Sequence, residues 1–234
     1  MPACLRVPRA VLFDVGDTLL VERRFDLEAG IASIAEENAD ISTLAHAFRA
    51  EVVESHLRCT EPFLAAWLRE RIPGLSVRSV ESIEDTVWGA IVTLETQRGV
   101  ATVLRTLAGD GIVAGAVSNA AFSSRILEAE LGRHGLAQYL QFVLTSADER
   151  SRKPAAVIFD AAVARLGVAA ADVWFVGDTL EEDIPGAQAA GLQPIWLTAH
   201  ASEASSFAVP TVRDWHEFME LYASVRAPAW ACRT

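Results

Sequence analysis

The chain has 234 residues, 51% of them apolar, and 31 acidic against 20 basic side chains give a formal net charge of −11. That length suits one large domain, or a core with a smaller insert, and is ample for a buried core. The acidity argues against a nucleic-acid or anionic-membrane surface, because phosphate backbones are bound by clustered basic side chains, and points to a small-molecule partner.

Cys4, Cys59 and Cys232 are odd in number, widely separated and without C-x-x-C spacing. Neither a disulfide framework nor a zinc knuckle is expected, and a reducing cytoplasm suits them. Asp14 interrupts the N-terminal apolar run, and no later stretch approaches the roughly 18 apolar residues of a membrane span. A soluble, unprocessed cytoplasmic protein is the expectation; the sequence assigns no oligomeric state.

In chain order, Ala10-Val11-Leu12-Phe13 is a strand-forming run that delivers Asp14, followed by Val15-Gly16-Asp17-Thr18-Leu19. Between Leu20 and Gln97 the periodicity is helical, over Phe25 to Ala39, Ile41 to Leu57, Pro62 to Ile72 and Val80 to Glu95, with Pro73-Gly74 as a turn. This predicts an all-helical insert directly after the first strand, long enough to lie over the sheet's carboxyl edge as a lid. The domain limits read as core 1–21 and 98–234, cap 22–97.

From Gly99 onward helices and strands alternate. Val100 to Ala108 reads as a helix, Ile112 to Val117 as a strand, Phe122 to Leu131 as a helix and Phe142-Val143-Leu144 as a strand. Ala155 to Leu166 is a helix, Val173 to Val176 a strand, Ile184 to Ala190 a helix and Pro194 to Leu197 a strand. Short loops between alternating elements imply an α/β fold with a parallel, helix-flanked sheet. Gly109-Asp110-Gly111, Gly167 and Gly191 sit where helices should stop. Val212 begins an edge strand, and Asp214 caps a closing helix through Tyr222.

Val-Gly-Asp-Thr-Leu occurs twice, at 15–19 and at 176–180, each time after an apolar run. A buried strand ending in Gly-Asp brings a carboxylate to the mouth of a sheet, where open α/β folds bind ligands. Of the 20 basic side chains only Lys153 is a lysine. A compact, rotatable point charge is what arginine's planar fork does not replace, which marks Lys153 as a chemical residue.

Phe13-Asp14-Val15-Gly16-Asp17-Thr18-Leu19, Ser118-Asn119, Lys153-Pro154 and Gly177-Asp178-Thr179-Leu180-Glu181-Glu182-Asp183 together resemble the four motifs of the haloacid dehalogenase-like (HAD) hydrolases. The resemblance covers residues 10 to 20 and roughly 99 to 200. It implies a doubly wound, Rossmann-like core with a cap inserted after the first motif, and Mg²⁺-dependent hydrolysis of a small phosphorylated metabolite.

Each residue type suits its place. Asp14 can attack phosphorus and form an aspartyl-phosphate, splitting one displacement into two. Asp178 and Asp183 offer the hard oxygens that Mg²⁺ prefers. Ser118 hydroxyl and the Asn119 backbone N–H can hold phosphoryl oxygens. Lys153 and the cation together offset repulsion between the carboxylates and the phosphate. Glu181 and Glu182 read as first-turn charge for a helix rather than ligands.

One position departs from the pattern. Phosphatases of the family usually read Asp-x-Asp-Gly-Thr, and Gly16 occupies the second aspartate's place. By the resemblance, that residue's carbonyl touches the metal while its side chain protonates the leaving oxygen. Gly16 keeps the first function and loses the second, worth about 10²–10⁴-fold. Asp17 is a possible substitute acid, but its neighbouring position should point it elsewhere. Haloacid dehalogenase-type hydrolysis and a catalytically impaired phosphate-binding or interaction protein stay open as alternatives. Phosphonatase chemistry, which needs a lid lysine, is nearly excluded because the insert has none.

Overall fold

The computed structural model of the chain describes residues 5–36, 39–198 and 209–226. Its framework is a six-stranded parallel sheet in the order β5-β4-β1-β6-β7-β8. The strands are β1 (Ala10–Phe13), β4 (Val113–Ser118), β5 (Val143–Thr145), β6 (Val173–Gly177), β7 (Gln193–Leu197) and β8 (Thr211–Val212). β1 pairs with β4 on one side, Phe13 opposite Ala116, and with β6 on the other, Phe13 opposite Val176. Because the chain first builds outward through β4 and β5 and then returns to β6, the carboxyl end of β1 lies where connections diverge, a crevice that binds ligands in open α/β sheets.

Side chains alternate across a strand, and β1 is buried on both faces. Ala10 and Leu12 pack with Ile158, Phe159, Phe175 and Ala187, which places α8 (Ala156–Leu166) and α9 (Asp183–Ala189) on one face. Val11 and Phe13 join the larger cluster on the opposite face, which includes Leu104, Leu131 and Phe218 from α5 (Val100–Gly109), α6 (Ser124–Arg133) and α10 (Trp215–Arg226). Gly111, Gly167 and Gly191 adopt positive φ where helices end. Asp214 Oδ1 accepts the Glu217 N–H at 2.9 Å, capping α10. Trp174 of β6 and Trp196 of β7 are both buried in the core.

The insert is not wholly helical. Leu20–Phe25 (β2) and Val92–Thr96 (β3) form a separate antiparallel ribbon, with Leu20 opposite Thr96 and Phe25 opposite Val92. Between its strands lie α1 (Leu27–Ala32), α2 (Ile41–Leu57), α3 (Leu64–Arg71) and α4 (Val80–Ile91). The two helical spans expected across the ribbon are therefore shortened. Asp26 caps α1 by accepting the Ala29 N–H at 2.8 Å, so the helix begins only after Phe25. α4 stops where β-branched Val92 turns extended (φ −132°, ψ 147°), a conformation Val and Thr favour when a partner strand is present.

The insert packs on the sheet domain through specific bonds. The Leu64 N–H donates to Ala121 O and the Arg152 N–H to Cys59 O, each at 3.0 Å. Trp88 Nε1 donates to Glu130 Oε2 at 3.0 Å, and its ring meets Phe122 edge-on at 4.9 Å. Buried Glu84 accepts from Ser123 N–H and, at 2.7 Å, from Ser123 Oγ. Among the described residues no helix is long and apolar enough to cross a membrane.

Candidate active site

Asp14 follows directly on β1, its N–H bonded to Val176 O at 2.9 Å. Asp178 follows directly on β6, and Asp183 opens α9. Carboxylate oxygens of the three lie within 4.8 Å of one another, the only such potential metal-holding group among the described residues. Lys153 Nζ sits 2.6 Å from Asp14 Oδ1 and 2.7 Å from Asp183 Oδ1. The lone lysine is thus buried at the acidic cluster.

Gly177 makes this convergence possible. A Cβ on it would stand 2.1 Å from Asp183 Oδ2, so only glycine lets the α9 carboxylate fold back against the strand end. There Asp183 Oδ2 accepts the Thr179 N–H at 3.0 Å. Thr18, buried in the first loop, donates to Asp178 Oδ1 at 3.3 Å and ties the two acidic loops together.

The electrostatics suit a bound cation. Burial, the main cause, together with Asp183 and Asp178 pushes Asp14 up to about 7, against the opposing pull of Lys153. Burial and then Asp183 push Asp178 up to about 6. Burial works against the Lys153 charge, yet Asp14 and Asp183 outweigh it and hold the ammonium above the usual lysine range. Three carboxylates share one ammonium. Asp183 Oδ1 is buried, and its close partner is the Lys153 ammonium that it shares with Asp14. Three hard carboxylate donors gathered within 4.8 Å, with one ammonium paired to two of them, fit a divalent cation such as Mg²⁺.

Ser118 ends β4 and is buried; with Asn119 and Gly16 it lines a cavity of about 510 Å³. Beyond its backbone, Asn119 clamps the lysine segment. Its Oδ1 accepts the Lys153 N–H at 2.8 Å, and its Nδ2 donates to Lys153 O at 3.1 Å and to Glu182 Oε2 at 2.7 Å. At Gly16 a Cβ would meet no atom within 4 Å, and its φ lies outside the left-handed region. Asp17 does not face that space. Its Oδ1 accepts the Glu22 N–H at 3.3 Å, and it lines a different cavity together with Asp178, Arg98 and Trp215.

A second set of charges escaped sequence reasoning. Buried Arg152 donates from Nη2 to Glu182 Oε1 at 2.6 Å, and its Nη1 lies 3.3 Å from Glu61 Oε2 of the insert. Burial, partly countered by Arg152, raises the Glu61 carboxyl above its ordinary range. Glu182 therefore anchors Arg152 and Asn119 instead of simply charging the start of a helix. Arg152's only sequence signal was its place beside Lys153. Of Arg23, Arg24, Arg49, Arg58, Arg69 and Arg71 in the insert, only Arg49 lines the 510 Å³ cavity. Arg23, Arg24 and Arg58 pair with Glu95, Asp26 and Glu54, and Arg71 lies over the Trp67 ring. Trp67 is insert core, whereas Trp88 walls the cavity.

The haloacid dehalogenase-like hydrolase family model matches residues 8–191, and the chain belongs to this family of hydrolases. It is 46% identical over 67 residues to ribulose-1,5-bisphosphate 5-phosphatase of Halopiger xanaduensis, covering 29% of this chain and 28% of that protein. It is 33% identical over 126 residues to pyrimidine 5'-nucleotidase YjjG of Escherichia coli, covering 53% and 55%. The chain thus spans little more than half the length of these relatives at most. A 27% identical match over 226 residues, 88% of this chain and 92% of the relative, links it to haloacid dehalogenase-like hydrolase domain-containing protein 3 of Danio rerio. In fold it is similar to 2-haloacid dehalogenase from Pseudomonas syringae pv. Tomato DC3000, with TM-score 0.65 at 22% identity over 93% of this chain and 99% of that one. It is also similar to a HAD phosphatase from Thermococcus onnurineus, with TM-score 0.61 at 19% identity over 91% and 96%.

Proposed function

We propose that the protein is a Mg²⁺-dependent phosphatase of small phosphorylated metabolites, working through an aspartyl-phosphate at Asp14. The observation that carries this reading is the convergence of Asp14, Asp178 and Asp183 within 4.8 Å of one another, with one lysine paired to Asp14 and Asp183. In a pocket of effective dielectric 20, each pair of charges about 4 Å apart interacts by roughly 4 kcal/mol. A phosphate could not approach these acids without added positive charge. Asp14, the Gly16 carbonyl, Asp178 and Asp183 would hold the ion, which when bound neutralises charge and draws phosphoryl oxygens towards Asp14.

The chain's own groups do the rest. Lys153 neutralises Asp14 and a phosphoryl oxygen, while the Ser118 hydroxyl and the Asn119 N–H bind the remaining oxygens. The Asp14 oxygen bonds to phosphorus as the ester P–O bond breaks, and the electron pair leaves on the ester oxygen. Water then attacks phosphorus, releasing Asp14 and inorganic phosphate and giving up a proton to solvent. Gly16 supplies no proton to the departing oxygen, which therefore leaves as its own anion and is protonated by water. Good leaving groups should be favoured. The insert, residues 22–97, acts in this reading as a cap over the core of residues 1–21 and 98–234.

The phosphatase reading is favoured over the dehalogenase one because attack on a haloacid needs no metal, whereas the acidic cluster calls for one. Assay of acetyl phosphate and 4-nitrophenyl phosphate with Mg²⁺ and with chelator tests it. Phosphate release that chelator abolishes is the expected result. Halide release from a 2-haloacid in chelator would overturn it in favour of dehalogenation, and inactivity on both classes with measurable phosphate binding would leave a binding protein.

A further inference from the structure

Resting on the phosphatase reading, we infer that the substrate is a hydrophobic phosphate monoester whose organic body is apolar and carries no second anionic group. The cavity that starts at Gly16, Ser118 and Asn119 runs between the ribbon, the insert helices and α6, and its volume of about 510 Å³ suits a small organic molecule. Its walls are mostly hydrocarbon, including Phe25, Phe48, Leu64, Trp88, Leu94 and Phe122. Sugar hydroxyls placed against these side chains would exchange water for partners that cannot hydrogen-bond.

The charged groups on the wall point the same way. Three acids, Glu22, Glu61 and Glu130, face it against one cation, Arg49. Glu130 is engaged by Trp88 and Arg133, and Glu61 by Ser146 and Arg152. Arg49 is already 3.4 Å from Glu28. A bisphosphate or phospho-carboxylate would put its second anion among these acids, where the cation on the lining, Arg49, is already paired with Glu28.

Two further features fit a hydrophobic occupant. Phe25 and Val53, 52% and 64% exposed, are among the few large apolar side chains the fold leaves in water, and both line this cavity. Exposed apolar surface gathered at a cavity is the mark of a binding surface. At the other end, the open space at Gly16 admits a bulky group beside the phosphate. An aryl oxide also departs without the proton that Gly16 cannot give.

The test compares phenyl phosphate with 4-tert-butylphenyl phosphate, whose leaving phenols are nearly equal in acidity, and with ribose 5-phosphate. With Mg²⁺ present, the tert-butyl ester should have kcat/KM about tenfold or more above phenyl phosphate, from burial of four more carbons, and ribose 5-phosphate should be the poorest. Phe25→Ser and Val53→Ser should bring the ratio of the two aryl esters towards one. Calorimetric titration with phenylphosphonate and 4-tert-butylphenylphosphonate, which have no ester bond to break, should give the same preference at equilibrium. Equal affinities for the two phosphonates, or a preference for ribose 5-phosphate, would overturn the inference. Failure to release phosphate from any ester would instead refute the phosphatase reading, and the phosphonate ratio would still decide the nature of the cavity.

Discussion

Restoring a carboxyl at position 16 is the sharpest test of what the glycine has removed. In Gly16→Asp the new Cβ meets nothing within 4 Å, and the backbone there is not in the left-handed region, so neither backbone strain nor a Cβ clash opposes the change. Loss of glycine's freedom in the unfolded chain should even add about 0.4–1 kcal/mol of stability. The opposing term is electrostatic. A carboxylate about 6 Å from Asp14 is repelled by roughly 3 kcal/mol at an effective dielectric of 20. That repulsion favours the protonated form of the newcomer, the form a proton donor needs. A working acid contributes about 10²–10⁴-fold, or about 3–5 kcal/mol of barrier, and only where the leaving oxygen needs a proton. The assay is log kcat/KM against leaving-group pKa, from acyl through aryl to alkyl phosphates. The native chain should give a steep line. Gly16→Asp should flatten it by gaining on the alkyl esters, while Gly16→Asn, of equal volume but without the proton, should not. Parallel lines for all three proteins would refute the reasoning.

Asp14→Asn should lower phosphate release by about 10³-fold or more while leaving the circular dichroism spectrum intact, since the nucleophile is lost and the strand is not. Lys153→Met strands two buried carboxylates and should cost about 3–5 kcal/mol in urea unfolding without metal; an unchanged midpoint would mean the ammonium is not where the ion pairs put it. Mg²⁺ at ten times its Kd should stabilise the native chain by about 1.4 kcal/mol and raise Tm by about 3–6 °C, an effect that Asp183→Asn should remove. Glu84→Ala deletes the buried acceptor of Ser123 and Arg125 and should cost about 1.5–3 kcal/mol, measured by the same unfolding.

The sheet was legible because its strands are short apolar runs punctuated by glycine and separated by amphipathic helices, so local pattern and long-range order agree. The acidic centre was legible for a related reason: parallel strands end at one edge, and residues just beyond Phe13 and Gly177 must meet there. The ribbon was not legible. Glu22, Arg23 and Arg24 interrupt any alternation in β2, Val92–Thr96 continues the apolar phase of α4, and the two strands are some seventy residues apart. Pairing across such a gap leaves no local mark in either segment. The clamp of Asn119 on Lys153 was missed because a strand-end Ser-Asn suggests a backbone role, and Glu182 because an acid before a helix is usually explained by the helix alone.

At the ribbon the chain departs and returns through neighbouring residues: Leu20 is opposite Thr96, and the Gln97 N–H donates to Leu19 O at 3.0 Å. The whole excursion is therefore a cassette clipped into the sheet at one point, with no strand of the framework depending on its path. Exchange of that cassette for a longer, shorter or differently shaped one leaves the strands that carry Asp14, Ser118 and Asp178 in place and alters what reaches them from outside, the Cys59 and Glu61 contacts of Arg152 included. Selectivity and chemistry can diverge independently in descendants of this chain.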